Sequence, residues 1–155
     1  MIPRIQNLYL FLTTMLSLLF LKGGIINFMD KSGSIIKVTF NGLLRNTDGQ
    51  AFELIDKLLP LSAIIVLIPA ISLITILFFK NRKVQLLLAM SLIILVAGLI
   101  IFSCYYCWFV ISGFGAAITP GFKLAIPVLI LIFSILAYRG IKKDENLIRS
   151  YERLR

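Results

Sequence analysis

Histidine is absent from all 155 residues, which removes the commonest metal ligand and the usual proton shuttle near neutral pH. Cysteine occurs only at Cys104 and Cys107, so a disulfide-stapled secreted fold is excluded by arithmetic. The seven acidic residues all fall outside the long apolar runs. An ionisable group within the membrane is the usual mark of an ion pathway or proton relay, so coupled transport has no side chain to rest on. Gly113, Gly115 and Gly121 lack the lysine and the strand-to-helix setting of a phosphate loop, and they read as a flexible turn. No catalytic, cofactor-binding or metal-binding set is expected, and the chain is read as non-enzymatic.

What remains is apolar. Hydrophobic residues make up 59% of the chain, against roughly 45–50% in soluble domains, and a chain this small has too little interior to hide them. One membrane domain, 1–155, is expected. It divides into spans at about 5–22, 58–79, 84–110 and 120–138, an outer loop 23–57 and a tail 139–155. The first run resembles the apolar core of a secretory signal with Arg4 before it. Phe20, Leu21 and Lys22 leave no small-residue cleavage site, so an uncleaved span is the better reading. The third run, about 27 residues and about 40 Å of helix, must tilt or protrude from a core of about 30 Å. Pro69, Pro127 and Gly98 lie inside spans, as kinks, close-packing points or ordinary membrane-helix residues.

The net charge of +9 does not point to nucleic acid, because the basic residues sit at the ends of apolar runs. Arg4, the hairpin Lys80, Arg82 and Lys83, and the six basic residues after Tyr138 share one side; Lys22, Lys31, Lys37, Arg45, Lys57 and Lys123 share the other. The positive-inside rule then places both termini and the hairpin in the cytoplasm.

The outer loop carries strand chemistry. Ile36, Val38 and Phe40 alternate with Ile35, Lys37 and Thr39, and Asn41–Gly42 signals a two-residue turn into Leu43 and Leu44. A second turn is expected over 46–49. An isolated hairpin is marginal in water, so this one should lean on the helix ends or on a partner. The fold class is therefore all-α transmembrane, a four-helix membrane bundle with a small hairpin-containing extracytoplasmic loop between spans 1 and 2. By fold-level analogy it is claudin-like.

Three segments carry a family resemblance: Met1 to Gln6; Phe79, Lys80, Asn81, Arg82, Lys83, Val84, Gln85; and Arg139, Gly140, Ile141, Lys142, Lys143, Asp144, Glu145 with Leu147 to Ser150 and Arg153 to Arg155. With them the whole chain resembles the four-span Bacteroidetes membrane family catalogued as domain of unknown function 4293, from whose usual residues Pro3 and Tyr151 depart. The resemblance implies a bacterial inner-membrane protein with loop 23–57 in the periplasm, and it assigns no activity.

Cys104 and Cys107 form a C-x-x-C near the outer end of the third span. Membrane thiol oxidoreductases use such a pair but generally need a second one, which is missing here, so two small apolar side chains on one helix face is the favoured reading. Tyr105, Tyr106, Trp108 and Phe109 suit an interfacial belt. Hydroxyls at Thr13, Thr14, Ser17, Ser72, Thr75 and Ser103 could line an oligomeric pore, but such groups more often bond to their own helix backbone. The tail carries the largest functional expectation. If it continues as a helix, Ile141, Leu147, Ile148, Tyr151 and Leu154 form an apolar stripe and Glu145 pairs with Arg149. Arg139, Lys142, Lys143, Ile148, Arg149, Tyr151, Arg153 and Arg155 are then the candidate contacts for anionic lipid or a protein partner. The expected function is a scaffold or accessory subunit of a membrane complex. The alternatives are an oligomeric small-solute transporter or channel and a thiol oxidoreductase using Cys104 and Cys107.

Overall fold

The computed structural model describes residues 5–22, 24–29, 35–39, 42–46, 53–56, 58–79, 81–115, 117–119 and 122–153. Among them are four α-helices: α1 Ile5–Leu21, α2 Leu59–Leu77, α3 Arg82–Phe114 and α4 Ile126–Arg153. Each packs against two others in a closed ring, with α1 touching α2 and α4, and α3 touching α2 and α4. Uninterrupted Leu and Ile runs favour this arrangement, because a helix satisfies every backbone polar group inside its own segment. Pro60 sits in the first turn of α2, where its missing N–H costs nothing. Gly115 ends α3 in the left-handed region at φ 60°, its N–H bonded to the Ile111 carbonyl at 3.0 Å.

Three stretches are long and apolar enough to cross a membrane: Leu59–Leu77, Arg82–Gly113 and Lys123–Leu147. By length and composition this is a membrane protein. Helix α1 has 17 residues, about 26 Å at 1.5 Å per residue, and falls short of a core of about 30 Å. Of the four expected spans, three are helices of membrane length among the described residues, and α1 is a shorter apolar helix in the same bundle. Large apolar side chains such as Leu8, Leu77, Leu87, Ile94 and Ile101 point outward. For a soluble protein these would be a liability; for one in lipid they are the solvent-facing coat.

The expected hairpin is part of a larger sheet. Strands β1 Gly24–Met29, β2 Ile35–Thr39, β3 Gly42–Asn46, β4 Glu53–Asp56 and β5 Ala117–Thr119 form one antiparallel sheet in the order β4-β3-β2-β1-β5. Ile36 and Val38 are buried as their alternation predicts, beside Ile26, Phe28 and Leu43. These five share one core cluster with Phe20, Leu58, Val110 and Ile126, so the sheet sits as a lid on one end of the bundle. Gly42, expected in the turn, instead pairs with Thr39 inside the ladder, and Phe40 and Asn41 lie outside the described residues. The turn over 46–49 lies largely outside them too, although β4 returns antiparallel to β3.

The segment after α3 departs most from expectation. In place of a flexible turn and a helix starting at Pro120, Ala117–Thr119 joins the edge of β1, a 3₁₀ turn spans Phe122–Ala125, and α4 begins at Ile126. The Thr119 hydroxyl donates to the Asn27 carbonyl at 2.8 Å, fastening this strand to β1. Gly98 has nothing within 4 Å of where a Cβ would stand, so it marks no close approach. Gly140 does, since a Cβ there would meet the Cβ of Gln6 at 3.2 Å.

Candidate functional site

Three places in the bundle carry polar or reactive groups. The first is its axis. Gln6, Thr13, Thr14 and Ser17 of α1, Ser72 and Thr75 of α2, Gln85 of α3 and Ser134 of α4 are all buried. Most of their hydroxyls are satisfied locally: Thr13, Thr75 and Ser134 donate to the carbonyl four residues back, and Ser17 donates to Thr14. Two cross-helix links stand out. Ser72 donates to the Leu10 carbonyl at 3.0 Å and lies 3.0 Å from the Thr14 hydroxyl, joining α1 to α2. The Gln85 amide donates to the Thr75 carbonyl at 3.3 Å, joining α2 to α3, while its own Oε1 has no partner among the described residues. These are the contacts by which apolar helices in lipid recognise one another, where no hydrophobic force distinguishes helix from tail. Sequence reasoning missed Gln6 and Gln85 here. The available signal was spacing, since Gln6, Leu10, Thr13, Thr14 and Ser17 follow the helical period of one buried face.

The second place lies under the sheet. A cavity of about 160 Å³ is lined by Phe20, Ile26, Ile100, Ser103, Cys104, Cys107, Lys123, Leu124, Pro127 and Val128. Both cysteines are free thiols. The structure therefore brings the C-x-x-C pair onto one wall, with Lys123 at the rim. The Lys123 ammonium donates to the Lys22 carbonyl and is held at the junction of α1 and the 3₁₀ turn. The Ser103 hydroxyl has no partner among the described residues. Nearby, Tyr105 and Trp108 are exposed, as an interfacial belt requires.

The third place is the opposite end. Helix α4 does not stop at Tyr138 but runs as a single helix to Arg153. Ile141 is buried, at 1% exposure, and belongs to the bundle; Leu147, further along the expected apolar stripe, is 50% exposed. Arg139, Lys142 and Lys143 are exposed and, with Asn146 and Leu147, line an open concavity of about 400 Å³. The Lys142 ammonium also sits 5.9 Å from the centre of the Tyr138 ring. Arg82, from the α2–α3 hairpin, reaches Asp144 at 3.6 Å, so hairpin and tail meet at one end of the bundle. Lys83 is exposed there. Lys80, Leu154 and Arg155 lie outside the described residues. Ile148, Arg149, Tyr151 and Arg153 are placed as helix backbone only, so the expected Glu145–Arg149 pair lies outside what is described.

No curated protein matches the chain, and no solved structure does. A family model described as domain of unknown function, DUF4293, covers residues 2–154. The two ends and the hairpin that carried the resemblance fall within a match running almost the whole length, and the chain belongs to the DUF4293 family.

Proposed function

We propose that this protein is a non-enzymatic scaffold or accessory subunit of a bacterial inner-membrane complex. In this reading all four helices cross the bilayer, α1 doing so with Lys22 and Arg4 snorkelling at its ends, both termini lie in the cytoplasm and the sheet faces the periplasm. The observation that carries it is the continuity of α4. From Ile141, which is buried in the bundle, to Arg153 the helix projects by about 18 Å, with basic side chains on its first exposed turns. A solvated stop-transfer tail needs charge but no helix; a helical basic arm, with Asp144 within reach of Arg82, suits anionic lipid or a protein partner.

The channel alternative draws less support, since the hydroxyls it would use on α1 and α2 are turned into the bundle axis and bonded there. The oxidoreductase alternative gains one observation, the shared cavity of Cys104 and Cys107. Replacing both by Ser and measuring periplasmic thiol status discriminates it, because a scaffold leaves that status unchanged. For the tail, crosslinking in the native membrane compares the full chain with one lacking Leu147 to Arg155. The truncated protein should insert normally and lose its crosslinks to partner or lipid headgroup. Retention of every crosslink overturns the docking role.

A further inference from the structure

The cavity under the sheet combines three features that the scaffold reading does not use. Its lining is almost wholly apolar, and its volume is about 160 Å³, close to that of engineered apolar cavities that stay dry and take up benzene. Its mouth opens sideways. Cys104 on α3, Leu124 in the 3₁₀ turn and Val128 at the start of α4 are lining residues that are also exposed, and they place the opening at the α3–α4 seam. Both helices are long and apolar enough to cross a membrane, so a bilayer around them would bring lipid to the mouth.

The third feature is charge at the right depth. Lys123 is the first residue of the apolar stretch Lys123–Leu147, so its ammonium stands at the membrane border while the cavity lies just inside. Its bond to the Lys22 backbone carbonyl holds that ammonium at the rim. Among the described residues no acidic side chain lines the cavity to neutralise it. A cation at the border with an apolar slot directly beneath is complementary to one molecule that the bilayer supplies in excess, a phospholipid with its anionic phosphate at the surface and its acyl chain inside.

We propose that this cavity is a binding site for an anionic phospholipid of the sheet-side leaflet, with a segment of one acyl chain in the slot and the headgroup phosphate on Lys123. The site goes beyond the scaffold reading and stands or falls apart from it, since it involves neither the tail nor a protein partner.

The full-length protein in detergent, incubated with phosphatidylglycerol or with phosphatidylcholine of matched chains, is read by native mass spectrometry. One phosphatidylglycerol should remain bound in preference to phosphatidylcholine. Lys123→Gln should lower its retention by about fivefold, the weight of one basic side chain at an anionic surface, while Val128→Phe, which fills the mouth, should lower retention of both lipids. Equal retention of the two lipids by the unaltered protein, or undiminished phosphatidylglycerol in the filled variant, overturns the site. Should either variant fold poorly, the unaltered protein carries the test through its own thiols. Alkylation of Cys104 and Cys107 by a membrane-permeant maleimide should slow several-fold with phosphatidylglycerol and not with phosphatidylcholine. Unchanged rates, or protection by a quinone analogue alone, also overturn it, the latter in favour of the redox alternative.

Discussion

The two ends of the bundle are closed by different means. At the sheet end, five strands drawn from two chain segments lie across the helices, and Phe28, Ile36, Val38 and Leu43 reach down into the core that holds Phe20, Leu58 and Val110. At the tail end there is no such lid among the described residues. The chain passes from α2 to α3 there, Gln6 lies against Gly140, and Arg82 meets Asp144 across a partly exposed gap. Apolar burial closes the first end; backbone proximity and charge close the second. Since burial outweighs exposed ion pairs in energy, the sheet end should be the rigid one and the tail end the adjustable one.

Substitution at each end tests that difference. The largest effect is expected from Phe28→Ala, which empties a fully buried aromatic site beneath the sheet and should cost about 3–5 kcal/mol, against less than about 0.5 kcal/mol for Leu147→Ala on the projecting arm. Thermal unfolding in lipid or detergent measures both, and comparable losses would erase the distinction. An intermediate effect is expected at Gly140→Ala, where the added methyl meets Gln6 at 3.2 Å; overpacking of this kind costs about 1–3 kcal/mol. Gly98→Ala, with open space around it, should be neutral or slightly stabilising. A small effect is also expected of the Arg82–Asp144 pair, whose side chains are 23% and 34% exposed. A double-mutant cycle there should return at most about 1 kcal/mol, diminishing with added salt. A coupling that survives high salt would show that the tail end is held more firmly than its geometry suggests.

The helices were legible because lipid imposes a simple pattern, long runs without charge, and the basic clusters marked their ends. The Ile36 and Val38 alternation was legible for the same kind of reason, since one strand buried on a single face writes its period into the chain. Strands β1, β4 and β5 were not. Ala117–Thr119 spans three residues, too few for alternation to show, and its strand character comes from the β1 edge about ninety positions earlier. That pairing also explains the late start of α4, because residues given to the sheet edge and the 3₁₀ turn are withdrawn from the helix. The polar axis was half legible: Thr13, Thr14, Ser17, Ser72 and Thr75 were visible as hydroxyls in spans, and their convergence with Gln6 and Gln85 required the bundle. The cavity joining Cys104, Cys107 and Lys123 depends on contacts among α1, β1, α3 and α4 that no local pattern records.

The pairing of β5 with β1 bears on the order in which the molecule is completed. Phe28 belongs to the first strand to be synthesised, yet its neighbour Ile118 follows only after α2 and α3. Until Ala117–Thr119 has been made and brought to the same side of the membrane, β1 keeps an open edge, and an open edge is a template for pairing with the wrong chain. Correct insertion of the α2–α3 hairpin thereby becomes a condition for finishing the sheet, so a defect in biogenesis at one face of the membrane would be registered as an unpaired strand at the other.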